Sequence, residues 1–203
     1  MSSDGSTYFD SQLSRLPGNL VHAAREVASF AGHLVEPKEP KAFKWPEFLN
    51  KVNEYPGNDL TLNKFKDDSI HRQEATVSDM AKKVADILRG VISVTSAERD
   101  IVVLQENLEN TFTSLDAAKA SGWADFSKSS SGSESFWEYR FQFALPSQDL
   151  PDYLHLLVTT IKLEADIKDE ASWRGLQGGS KKNFAAELRV MELLVNQSYK
   201  DPQ

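Results

Sequence analysis

The chain contains no cysteine. Disulfide staples and thiol chemistry are excluded, so 203 residues must bury a core on packing alone. Basic residues are also in short supply. Lys and Arg number 23 against 30 Asp and Glu, a formal net charge of −7. Nucleic-acid binding needs clustered Lys and Arg, so nucleic acid is not expected as a partner. The same shortage argues against recruitment to anionic lipid by bulk charge. Long apolar runs are missing as well. No segment approaches the ~18 apolar residues of a spanning helix. The opening "MSSDGSTYFDSQ" has no apolar core, so no signal peptide is expected there. Catalytic patterns are absent too. The four histidines, His22, His33, His71 and His155, show no metal-ligand spacing, and neither HExxH nor GxSxG occurs. "QGGSKK" has its glycines in the wrong order for a phosphate loop. No enzyme, metal or cofactor is expected.

What remains is ordinary globular composition, 40% apolar and 26% charged, in one domain. Residues 1–16 are Ser- and Asp-rich and read as a flexible N-terminal segment. The folded domain is expected over 17–195 and a C-terminal tail over 196–203. Leu20, Ala24, Val27 and Ala31 lie at helical spacing behind Pro17. A short helix starts at Trp45, with Pro46 in its first turn. "DLTLNKF" and "SIHRQEATV" read as two strands separated by "KDD". Met80, Val84, Ile87, Leu88 and Val91 form a helical stripe, with Ser78 as the expected cap. Ile101, Leu104, Leu108, Phe112 and Leu115 form a second, behind a capping-box pattern at Thr95 to Glu98.

The last third alternates at period two. Trp137, Tyr139, Phe141, Phe143 and Leu145 face one way, with Glu138, Arg140 and Gln142 opposite. Leu157, Ile161, Leu163, Ala165 and Ile167 repeat the pattern against Lys162, Glu164 and Asp166. Around Leu154 to Val158 both faces are apolar, as in a strand covered on both sides. "FAAELRVMELLV" fits either a strand or a helix, and its composition favours helix. The element order predicts an α+β fold with helices against a largely antiparallel sheet. Strands of this length and alternation suit a sheet with one face on a core, and equally a lipid-facing barrel strand. "ADFSKSSSGSES" reads as a polar tether between helix and strand.

"ENTFTSLD", "ATVSDMAKKVADILRGVI", "SFWEYRFQFAL", "LHLLVTTIKLEADI" and "NFAAELRVMELLV" occur in an order that resembles the Cyt δ-endotoxins and the related volvatoxin-type mushroom cytolysins. The likeness runs roughly from Pro17 to Val195. It implies a three-layer α/β/α domain, in which two helical hairpin layers flank a central antiparallel sheet. It also makes the last segment a strand. The function it implies is a soluble, released or secreted pore-forming cytolysin. Such a protein binds membrane phospholipid without a protein receptor, oligomerises on the membrane and perforates it.

On that resemblance Trp137, Tyr139, Phe141, Phe143, Leu157, Ile161, Leu163, Leu188 and Val190 are the expected membrane-insertion residues. Leu88, Leu104, Leu108 and Phe112 are expected on a lid of helices. Trp123 and Trp173, read as exposed loop side chains, with Lys181 and Lys182, are expected to make first lipid contact. The competing expectation is a soluble binder of an apolar ligand, held between helices and sheet, that never opens.

Overall fold

The segment whose composition favours helix, Lys181–Asn196, is a strand. It is central in its sheet and buried on both faces. Phe184, Ala186, Leu188 and Val190 enter one apolar cluster; Met191, Leu193 and Val195 enter the other. Tertiary burial on two sides outweighs the intrinsic preference of Ala, Glu, Leu and Met for helix.

The computed structural model describes residues 16–35, 42–93, 98–116, 124–128 and 132–202, apart from the side chains of 98–101. In chain order the elements are α1 (Gly18–Gly32), α2 (Trp45–Asn53), β1 (Leu60–Thr76), α3 (Val77–Val91), α4 (Glu98–Thr113), β2 (Ala124–Lys128), β3 (Ser135–Pro146), β4 (Tyr153–Ala165), α5 (Glu170–Arg174) and β5 (Lys181–Asn196). The five strands form one sheet in the order β1-β5-β4-β3-β2, and every pairing is antiparallel. Helices α3 and α4 cover one face and share a cluster with Trp137, Tyr139, Leu157, Ile161 and Leu188. Helices α1 and α2 cover part of the other, around Leu154, Leu156, Val158 and Leu193. The expected α+β fold with a central antiparallel sheet is what forms.

Three local expectations are corrected. "KDD" does not separate two strands, because β1 runs unbroken through it. Every residue of "KDD" finds a partner on β5, and Arg189 holds Asp67 through two bonds of 2.7 and 3.0 Å. The polar triplet that reads as a turn is the exposed flank of an edge strand. Ser78 is not the cap of α3. Thr76 is: its Oγ1 accepts from the Asp79 amide at 3.0 Å, and the Asp79 carboxylate accepts from the Thr76 amide at 3.1 Å. Part of the expected tether is also structured. Ala124–Lys128 pairs with Ser135–Tyr139 as β2, and Asp125 on it forms a buried 2.6 Å ion pair with Arg140. The capping-box pattern at Thr95 lies outside the described residues. Tyr199, placed in the C-terminal tail from the sequence, is buried in the α1–α2 core.

Candidate functional site

The geometry of interest is a block of paired backbone. Ser135–Phe143 on β3 lies in register with Ala165–Leu157 on β4, which lies in register with Phe184–Glu192 on β5. Each segment is nine residues long, and a strand crossing a bilayer needs about 9–11. Directly opposed residues share a face. One face of the block carries Trp137, Tyr139, Phe141, Phe143, Leu157, Ile161, Leu163, Leu188 and Val190, all in a single apolar cluster. These nine side chains, drawn from Trp137 to Val190, are brought together as one surface. The rings of Tyr139, Phe141 and Phe143 stack at about 6 Å along β3. Most of the opposite face of the same rows is polar, while Val158 and Met191 join the α1–α2 cluster: Glu138 is in register with Lys162, which is in register with Glu187. Beside them Asp67, Thr160 and Arg189 line a pocket of about 610 Å³.

The apolar face is covered by α3 and α4. Leu88, Leu104, Leu108 and Phe112 are all buried in its cluster, and the Phe112 ring lies 5.0 Å from that of Tyr139. The two helices run antiparallel. Where a Cβ on Gly178 would sit, Ser78 Oγ at the start of α3 is 2.8 Å away and Glu109 in the last turns of α4 is 2.3 Å away. That end of the pair is joined to β1 by the chain itself, and the Gly178 carbonyl accepts from the Ser78 amide and hydroxyl at 2.9 and 3.0 Å. The opposite end is the connection that follows Val91.

At that free end the structure holds a feature missed in the sequence. Glu192 falls on the apolar face of β5, two residues beyond Val190, and is fully buried. Its carboxylate accepts from the Ser93 amide at 2.8 Å and from the Ser93 hydroxyl at 2.7 Å, just past the end of α3. It also meets His155 Nδ1 on β4 at 3.0 Å. Three donors from two layers thus converge on one buried carboxylate. The legible signal was the phase: Phe184, Ala186, Leu188, Val190 and then an acid at the next apolar position.

Burial pushes the Glu192 carboxyl upward, but His155 and the Ser93 donors outweigh it and hold the group below the ordinary glutamate value of 4.5. A carboxyl depressed by folding adds stability above its unfolded pKa and loses it as pH falls through the folded one. Acidification below about pH 4.5 should therefore weaken the contact between Ser93 and the sheet. Hydrogen exchange corrected for intrinsic rates should show α3 and α4 losing protection on acidification while α1 keeps it. Equal loss in both would count against this assignment.

The residues expected to touch lipid first fare differently. Lys181 and Lys182 are exposed at the start of β5. Trp123 lies outside the described residues. Trp173 is not an exposed loop side chain: it sits on α5, is wholly buried, and donates its indole N–H to Ser135 Oγ at 2.7 Å. An indole finding both an apolar slot and an acceptor has been drawn inward from a polar segment. Among the described residues no helix is long and apolar enough to cross a membrane.

The family model described as Bacillus thuringiensis toxin matches residues 18–199. The chain belongs to this toxin family. Its fold is that of solved family structures. One, a delta-endotoxin, aligns with a TM-score of 0.77 at 16% identity, over 89% of this chain and 78% of the other. The activated Cyt2Ba monomer from Bacillus thuringiensis subsp. israelensis aligns with a TM-score of 0.77 at 14% identity, over 89% and 94%. No curated protein matches the chain. At such identities the Cyt-type fold is retained while most side chains differ.

Proposed function

We propose that this member of the toxin family is a pore-forming cytolysin. It is released in soluble form, binds phospholipid directly, lifts α3–α4 from the sheet, oligomerises on the membrane and perforates it with its amphipathic strands. One observation carries the reading: the nine-row block of β3, β4 and β5 is apolar on the face beneath α3–α4, while the other face is polar over most of its rows and turns apolar at Val158 and Met191. A lipid-exposed barrel strand requires that pattern and that length. Its backbone requires closure, because unpaired N–H and C=O groups cannot enter hydrocarbon. Insertion is thereby coupled to assembly. The pocket on the opposite face sets the charges of Asp67, Glu138, Lys162, Glu187 and Arg189 beside Phe43 and Trp45, and an apolar ligand there would have to desolvate those charges.

The test is dye release from phosphatidylcholine/sphingomyelin vesicles with no receptor present. Prompt, concentration-dependent release with detergent-resistant oligomers is the expected result. Protein that carries bound lipid through purification and releases no dye would overturn it in favour of a lipid binder.

A further inference from the structure

We infer that the Glu192 carboxylate, with Ser93 and His155, is the catch that holds the α3–α4 layer shut, so that opening starts at this end. The inference deepens the proposed function and rests on it. The helix pair is tied to the sheet very differently at its two ends. At one, α3 follows β1 without a break, and the Gly178 carbonyl takes both Ser78 donors. Motion there is rotation about a covalent hinge. At the other, where Ser93 lies exposed, two bonds from Ser93 to Glu192 tie the layer to the sheet among the described residues. Elsewhere, apart from a bond from Lys83 on α3 to Gln73 near the hinge end of β1, the layer is held by apolar packing, which has no directional threshold and weakens gradually as surfaces separate. A hydrogen-bonded charge behaves otherwise. It is strong while its donors are in place and costly once one leaves.

The surroundings of Glu192 bear this out. It is the acid on an otherwise apolar run of β5, Phe184 to Val190. On β4 it meets His155, with Leu157 in register; on β1 its register partner is Lys64, which is exposed. In the last turn of α3 the charged residue is Arg89, also exposed. Removing Ser93 would leave the carboxylate with His155, beside the apolar cluster that holds Leu157 and Val190. The closed state is thus favoured by a buried carboxylate that is costly to strip of its donors in an apolar setting. At a membrane the same residue stands at the last row of the nine-row block, where headgroups and water can solvate it.

Glu192→Gln keeps the size of the side chain and removes its charge. In the full chain it should raise the initial rate of dye release from phosphatidylcholine/sphingomyelin vesicles roughly tenfold, the scale of a charge-assisted hydrogen bond. It should also raise amide exchange at Ser93 and through α3 and α4, with α1 unchanged. Ser93→Ala removes one donor at an exposed position and should do the same to a smaller degree, which covers a Glu192→Gln chain that fails to fold. Val27→Ala, in the α1 core, is the control for general destabilisation: it should loosen α1 without speeding release. Unchanged exchange in α3–α4 for both catch variants would overturn the inference. So would equal acceleration of release by Val27→Ala. Failure of the unmutated chain to release dye would sink the pore reading instead, and the exchange comparison would still decide whether the catch exists.

Discussion

Bridging Ser93→Cys to Lys64→Cys with a short bismaleimide should abolish dye release while leaving the fold intact. Both native side chains are exposed, so both thiols are open to reagent. Both flank the same carboxylate: Ser93 donates to Glu192, and Lys64 is its register partner on β1. The bridge therefore fastens the free end of the helix pair to the edge of the sheet and leaves the hinge at Val77 alone. Since the chain has no cysteine of its own, only the introduced pair reacts. Release should fall at least tenfold against the unbridged double variant, on the order of a 1.4 kcal/mol or greater barrier. A linker with a reducible centre should restore release on reduction. Full release from the bridged protein would show that α3–α4 need not leave the sheet.

Trp173→Ala should cost about 3–5 kcal/mol of stability, the range for deleting a large buried aromatic side chain. Trp173 is fully buried, its ring lies 6.3 Å from that of Phe184, and its N–H reaches Ser135 Oγ. Ser135 in turn donates to the Ile167 carbonyl, so the indole closes a chain that joins α5 to the ends of β3 and β4. Trp173→Phe keeps most of the ring, loses the bond, and should cost about 1 kcal/mol. Urea unfolding followed by far-ultraviolet circular dichroism measures both. Lipid binding per folded molecule should not change. A Trp173→Ala protein of native stability that binds vesicles poorly would instead place this residue at the lipid.

The apolar face of β3 and β4 was legible because it keeps a period of two, from Trp137 to Phe143 and, with Thr159 as the exception, from Leu157 to Ala165. Both stretches are covered on one face and mostly polar on the other, which is when alternation survives in a sequence. β5 was not legible from composition, because a central strand buried on both faces loses its alternation near Val190 and Met191. β1 was misread at "KDD" because its partner strand lies more than a hundred residues away. Trp173 was misread for a similar reason: its slot is made by Ser135 and Phe184, neither of them local. Glu192 required three elements at once. Ser93 and His155 stand 99 and 37 residues from it, and no local pattern links them.

The sheet separates two apolar clusters that have no residue in common, one beneath α3–α4 and one beneath α1–α2. Elements on opposite sides of such a partition need not melt together. The α3–α4 side is expected to behave as a cooperative unit of its own, so heating should give two overlapping transitions with a calorimetric enthalpy exceeding the van't Hoff value. A protein built this way can surrender one half of its tertiary structure and keep the other half as an ordered scaffold. The molecule that reaches a second state is then a half-native one, with its strand register already set.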